Sequence, residues 1–271
     1  MKYRQIMNLM WFSLPMCVLL RVIQILFTLD ETTGFIKQEY SKISLLISVV
    51  VCAAVVAVAG YATNVISLDK QNKEKNPVVA ITGLLTGGMF FYEMVSSTET
   101  GRIKSLIFIT LALASAFVFI AYGLKNIYDY KFPSILLIVP TVYYLAKLIN
   151  LFVSTSGLAL VTKNVFMLLA NAALLFFMFE FASYENDFKN KSQKPKRVFA
   201  IGIGAIMMCV STGLPVIISA VFQKIELTTA LKGDLATAVL MITQAIFIFS
   251  YISSNFNKKN TKTASVSKHS A

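Results

Sequence analysis

Long apolar runs separated by short polar segments dominate the chain, and most charged residues fall between the runs. Each run holds about 20 residues, the length that an α-helix needs to cross the hydrocarbon core of a bilayer. The pattern therefore predicts an all-α fold, a polytopic transmembrane helical bundle of about eight spans. The predicted spans are residues 6–28, 43–66, 78–97, 105–127, 133–153, 164–184, 198–222 and 235–253.

Composition strengthens this interpretation and leaves little room for a soluble domain. Of the 271 residues, 56% are hydrophobic and only 14% are charged, whereas soluble domains carry about 25% charged residues. The mean hydropathy is +0.70. We therefore expect residues 1–253 to form one transmembrane bundle. Residues 254–271 are rich in Ser, Thr and Lys, a composition that predicts a disordered basic tail.

The distribution of basic residues predicts how the chain is threaded. With the N-terminus inside, 16 of the 25 Lys and Arg residues lie in inner segments and 7 in outer ones. Cytoplasmic loops carry such an excess, so both termini and the tail are predicted to be cytoplasmic. The chain is predicted to be a multi-pass protein of a bacterial cytoplasmic (inner) membrane. The net charge of +12 is accounted for by loops and tail, so nucleic acid is not an expected partner.

Three ionisable side chains fall inside the outer third of predicted spans, namely Arg21, Glu93 and Lys147. A charge at such a depth is costly and usually faces the bundle interior or water. Three interpretations remain open. The charges line a water-accessible cavity, or they form an internal ion pair that fixes packing, or the two bases snorkel to the interface.

Polar side chains at helical spacing share faces with these charges. Two bases and one acid suit an anionic or zwitterionic ligand, so the whole set is a hypothetical ligand-binding site. Its members are Arg21, Gln24, Glu93, Tyr143, Tyr144, Lys147 and Asn150.

Two further features lie elsewhere in the predicted spans. Glu180, near the inner end of the sixth span, is a candidate for proton coupling, with pairing to nearby lysines as the alternative. The segment "STGLP" in the seventh span contains Gly213 and Pro215. Because proline removes a backbone donor and glycine loosens the chain, this segment predicts a helix break. Transporters place broken helices at binding sites.

The residues needed for several kinds of enzyme are missing from the spans. The one histidine, His269, lies in the tail, the three cysteines lie inside apolar runs, and no GxxxxGK[ST] loop occurs. Histidine-based proteases, haem ligation by histidine and nucleotide hydrolysis are thereby disfavoured. No catalytic residue, metal site or cofactor is predicted. An enzyme that uses only Lys, Tyr, Ser and Glu stays open.

Residues 143–182, "YYLAKLINLFVSTSGLALVTKNVFMLLANAALLFFMFEFA", carry a resemblance of general pattern. They resemble multi-span integral membrane proteins of uncharacterised function from low-GC Gram-positive bacteria. The resemblance covers about two helices and contains no diagnostic motif. It implies a membrane location and no particular activity.

These observations lead to three functional hypotheses. The first is binding or transport of a small polar solute, anionic or zwitterionic, through an outward-facing cavity in the bundle. The second is a non-catalytic sensor or subunit that docks a cytoplasmic partner through the basic loop 189–197 or forms a homo-oligomer. The third is a lipid-modifying membrane enzyme. All three have the lipid bilayer as a partner.

Overall fold

The computed structural model describes eight separate stretches of the chain, and each contains one long α-helix. The described residues are 2–28, 38–65, 76–96, 102–128, 132–155, 162–186, 194–222 and 229–256. The helices are α1 Lys2–Thr28, α2 Ser41–Val65, α3 Pro77–Ser96, α4 Arg102–Lys125, α5 Ile138–Thr155, α6 Thr162–Glu185, α7 Lys194–Phe222 and α8 Thr229–Phe256. Short 3₁₀ turns precede α2 and α5.

All eight helices are long and apolar enough to cross a membrane. The predicted all-α fold with eight spans is therefore confirmed, and the chain is described below as a multi-pass membrane protein. Helix α8 continues to Phe256, three residues beyond the predicted end of the bundle. The rest of the predicted tail, 257–271, lies outside the described residues. The cytoplasmic orientation of the termini stays a prediction.

The basic segment 189–197 is not a loop over its whole length. Helix α7 begins at Lys194, so residues 194–197 form its first turn, and residues 189–193 lie outside the described stretches. Pro195 does not prevent this, because backbone N–H groups in the first turn have no partner within the helix. The prediction of a basic loop was wrong for its last four residues.

The predicted helix break at Gly213 and Pro215 is also wrong, because α7 runs unbroken from Lys194 to Phe222. Proline interrupts only the hydrogen bond to the residue four positions earlier, and α7 is the most enclosed of the helices. Gly213 has a packing role. A Cβ atom there would lie 2.8 Å from the carbonyl oxygen of Ala238, so glycine permits α8 to approach this closely.

Helix α7 holds the bundle together, since it packs against α1, α2, α6 and α8. A second group forms around α3, which packs on α4 and α8, while α5 lies between α4 and α6. Glycine permits the close α3–α4 contact. A Cβ atom at Gly123 would lie 2.9 Å from the carbonyl oxygen of Ala80, and one at Gly83 would lie 3.3 Å from Gly123. These contacts bring the polar faces of α3, α5 and α8 together.

Candidate functional site

A buried ion pair links α3 and α5, and a hydroxyl group from α8 binds to it. The Lys147 ammonium contacts Oε1 of Glu93, and only 13% and 4% of these two side chains are exposed. Tyr143 donates a hydrogen bond to Oε2 of the same carboxylate at 2.5 Å. Thr237 donates to Oε1 at 3.0 Å and lies 3.4 Å from the lysine nitrogen. We call these four residues the Glu93 centre.

Local helical geometry explains how the Glu93 centre is assembled. Tyr143 and Lys147 are four residues apart on α5, so both side chains point from one face. Phe90, one turn before Glu93 on α3, packs edge-on against the Tyr143 ring with centroids 5.1 Å apart. This contact holds the tyrosine hydroxyl against the carboxylate. The centre therefore places two opposite charges and two hydroxyl groups inside an apolar bundle.

Arg21 does not belong to the Glu93 centre and lies where α1 packs against α2. It is 1% exposed, donates from Nη1 to Oε1 of Gln24, and places Cζ 3.6 Å from the centroid of the Phe166 ring. Gln24 is itself fixed, because its Nε2 donates to the Ser44 and Ser48 hydroxyls at 2.7 and 2.9 Å. We call these five residues the Arg21 centre. Among described residues, Arg21 forms no ion pair.

The structure thus divides the predicted ligand-binding set. Glu93, Tyr143 and Lys147 lie together, while Arg21 and Gln24 form a separate cluster. Both bases face protein, so the snorkelling interpretation does not describe this arrangement. The remaining two predicted residues, Tyr144 and Asn150, make no hydrogen bond to either cluster in the part of the chain described, although the Tyr144 ring packs edge-on against Tyr143 with centroids 5.2 Å apart. The Tyr144 hydroxyl is buried without a hydrogen-bond partner there, and Asn150 is exposed.

The outward-facing cavity predicted around these charges stays a prediction. A surface groove of about 490 Å³ lies on α2 instead. Its lining residues are Ser41, Lys42, Leu45, Leu46, Val49 and Val50. None of these belongs to the Glu93 centre or the Arg21 centre.

A second buried carboxylate, Glu185, was missed by the sequence analysis. It accepts hydrogen bonds from Tyr251 at 3.1 Å, from Tyr122 at 3.5 Å and from Lys125 at 3.5 Å. We call these four residues the Glu185 centre. The predicted sixth span ended at 184, so this glutamate was counted as part of a loop. Glu180, the predicted proton-coupling residue, is half-buried and makes no ion pair within the described stretches.

One face of α8 runs from the Glu93 centre to the Glu185 centre. Thr237, Gln244 and Tyr251 recur every seven residues and therefore share a face. Thr237 and Tyr251 are 14 residues apart, which corresponds to about 21 Å along the axis. Gln244, midway between them, is fully buried, and neither amide atom has a hydrogen-bond partner among the residues described. The seven-residue spacing was visible in the sequence.

Comparison with known proteins adds no family to this picture: the chain matches no protein-family model, no curated protein and no solved structure. Within the described residues, no three His, Cys, Asp or Glu side chains gather in a way that would hold a metal ion. The function is therefore inferred from the geometry of the charged centres.

Proposed function

We propose that this integral membrane protein is a carrier that binds a small zwitterionic solute at the Glu93–Lys147 pair. The observation that supports the proposal is a pair of opposite charges, with two hydroxyl groups, enclosed between three helices of an apolar bundle. Ionisable groups inside membrane spans are rare, and they commonly mark solute or ion pathways. The pair has no net charge, which matches a zwitterion better than a simple anion.

A zwitterion can replace the internal pair without leaving a charge unmatched. Its carboxylate would take the position of Glu93 beside the Lys147 ammonium, where Tyr143 and Thr237 donate hydrogen bonds. Its own ammonium group would bind Glu93. This exchange avoids the large penalty of an isolated buried charge. Because the Glu93 centre joins α3, α5 and α8, exchange would also loosen the contact between these helices, which alternating access requires.

The test is thermal unfolding of the purified protein in detergent with a panel of solutes. The panel contains neutral amino acids and betaines, together with simple anions and cations of similar size. A zwitterion that binds the folded state should raise Tm. At a concentration one hundred times its Kd, it should add about 2.7 kcal/mol to the free energy of unfolding. At the Glu93 centre the anions and cations should have smaller effects, since each would leave one charge of the pair unmatched; only the part of a shift that is lost when Glu93 and Lys147 are replaced together is assigned to this centre.

Two variants connect any shift in Tm to the Glu93 centre. Glu93→Gln combined with Lys147→Met removes both charges together and should abolish the shift. Glu180→Gln removes a half-buried acid outside the centre and should keep the shift. A panel without effect on the unmodified protein, or a shift that survives in the double variant, would contradict the proposal.

A second candidate is a sensor or subunit that binds an acidic cytoplasmic partner. Its support is the basic first turn of α7, where Arg197 is exposed and Lys196 half-buried, at the end of the helix that holds the bundle together. Charge reversal at both positions should then abolish co-purification of the partner. The same change should leave solute-dependent unfolding unaltered, which separates the two candidates.

A further inference from the structure

Arg21 is a buried positive charge that lacks a carboxylate partner in the described part of the chain. Its side chain is 1% exposed, and arginine stays protonated in proteins. Burial of a charge is very costly unless the charge is paired and hydrogen-bonded. The Phe166 ring, 3.6 Å from Cζ, supplies a cation–π contact. That contact alone does not offset the loss of solvation.

The geometry leaves one edge of the guanidinium available. Nη1 donates to Gln24, whereas Nε has no hydrogen-bond partner among described residues. The edge that carries Nε and Nη2 is one of the two forks with which arginine binds carboxylates and phosphates in a bidentate manner. The guanidinium is held in place, because the Gln24 amide that accepts from Nη1 is bound by Ser44 and Ser48 of α2.

The charge balance of the bundle points the same way. Lys147 is neutralised by Glu93 within its own centre, and Arg21 takes no part in that pair. The positive charge of Arg21 therefore needs a negative partner that is separate from the Glu93 centre. A neutral hydrogen-bond acceptor such as Gln24 satisfies one donor but does not cancel the charge.

We propose that the Arg21 centre is a binding site for an oxyanion, a phosphate or a carboxylate, held by the Nε edge of the guanidinium. The oxyanion belongs either to an anionic lipid headgroup or to a free solute. This site goes beyond the proposed zwitterion site, since it uses α1, α2 and α6 instead of α3, α5 and α8. The two proposals stand or fall separately.

The test uses the full-length protein in nanodiscs of two compositions, one with phosphatidylcholine alone and one containing phosphatidylglycerol. Each preparation is unfolded thermally with increasing inorganic phosphate or acetate, at constant ionic strength set with chloride. The expected result is a saturable rise in Tm, caused by the added anions in the first composition or by phosphatidylglycerol in the second. The first pattern identifies a free solute, and the second identifies a lipid headgroup.

Substitutions at Arg21 then show whether the guanidinium is responsible. Arg21→Met should remove the response and, without an anion, should unfold at the same temperature as the unmodified protein or above it. Arg21→Lys keeps the charge but loses the fork, so binding should weaken about tenfold or more, as expected for the loss of a charge-assisted hydrogen bond. This second variant keeps the test valid if Arg21→Met does not fold.

Lys42→Met is the matched control, because Lys42 is an exposed base on α2 outside the Arg21 centre. It should keep the full response. Three results would overturn the proposal. These are no rise in Tm with any anion or lipid, an undiminished rise in Arg21→Met, or a Lys42→Met variant that loses the rise as completely as Arg21→Met.

An acidic side chain outside the described residues is the remaining alternative partner for Arg21, and Asp30 and Glu31 follow α1 in the sequence. The double variant Asp30→Asn/Glu31→Gln should leave the anion response intact. If the double variant instead destabilises the anion-free protein and Arg21→Met relieves that loss, the chain supplies its own counter-charge and the proposal is overturned.

Discussion

Glu93 of α3 and Glu185 of α6 are two buried carboxylates that contact α8 at positions 14 residues apart. Among the contacts described for each carboxylate are one lysine and two hydroxyl groups. The contacts of Glu93 are close, with Lys147 in direct contact and the two hydroxyls at 2.5 and 3.0 Å. Those of Glu185 are longer, at 3.1 to 3.5 Å, with Lys125 among the most distant. The same chemical groups thus form one tight centre and one loose centre.

Exposure of the lysine explains why the two centres differ. The Lys147 side chain is 13% exposed, whereas that of Lys125 is 27% exposed and lies at the end of α4. Lys125, at the end of α4, therefore keeps part of its solvation by water or headgroups and does not need a close partner, although the Glu185 carboxylate itself is only 2% exposed. Inside the bundle the charges must neutralise each other. The comparison therefore separates a close and more enclosed pair from a longer pair whose lysine is partly solvated.

Aromatic rings fill the space between the two centres. Phe90 stacks on Phe119 at 5.5 Å, and Phe119 meets Phe247 edge-on at 5.1 Å. Phe247 lies 6.1 Å from Tyr122, which belongs to the Glu185 centre. Close-packed aromatic side chains leave little room for water or for a polar connection between the centres. We therefore expect the two centres to act independently in stability measurements.

The largest effect should come from loss of Lys147 alone. Lys147→Met leaves the Glu93 carboxylate buried without its counter-charge, and such changes cost about 3–5 kcal/mol. Adding Glu93→Gln should restore most of this stability, because no unmatched charge remains. The measurement is the free energy of unfolding in detergent for the single and double variants. A single variant as stable as the unmodified protein would show that the pair is not needed for the fold.

A single sequence predicts the local features of this fold but not the contacts between its helices. Local periodicity predicted the eight helices and the shared face of Tyr143 and Lys147, because both depend only on residues close in the chain. The acid that pairs with Lys147 depends on the order and rotation of separate helices, and a sequence pattern does not carry that information. Hence Arg21 was grouped with Glu93, although the structure gives it other partners.

Boundaries and tertiary contacts account for the remaining differences. Glu185 was missed because the predicted span ended one residue too early, which moved a buried acid into a loop. The break at Pro215 was predicted from local propensity, but α7 is enclosed by four neighbours and stays helical. Tertiary packing overrides such local preferences. Gly213, grouped with the break, is explained by the approach of α8.

Removal of single hydroxyl groups should show the next largest difference. Tyr143→Phe deletes a 2.5 Å hydrogen bond to a buried carboxylate, and hydrogen bonds to charged groups contribute about 1.5–3 kcal/mol. Tyr251→Phe deletes a 3.1 Å bond in the loose centre and should cost less than Tyr143→Phe, because the longer hydrogen bond is weaker. Both variants keep the aromatic ring, so each is a control for the packing of the other. Equal losses of unfolding free energy would contradict the division into tight and loose centres.

Loss of Lys125 should have a smaller effect. The lysine is partly exposed and its nitrogen lies 3.5 Å from Glu185, so Lys125→Met should cost less than Lys147→Met. The buried Glu185 carboxylate also keeps its hydrogen bonds from Tyr251 and Tyr122 in that variant. The cost should also shrink in high salt, because salt screens exposed charges more than buried ones. Unfolding at low and high salt checks this, with Lys147→Met as the variant whose loss should not depend on salt.

The smallest effect should be the coupling energy between the two centres. Thr237 and Tyr251 lie about 21 Å apart along α8, and the rings between them offer no polar connection in the described contacts. In a double-mutant cycle of Lys147→Met and Tyr251→Phe, the losses of unfolding free energy should add to within about 0.5 kcal/mol. A larger coupling would mean that α8 transmits a change from one carboxylate to the other, and Gln244, midway on the shared face, would be the residue to substitute next.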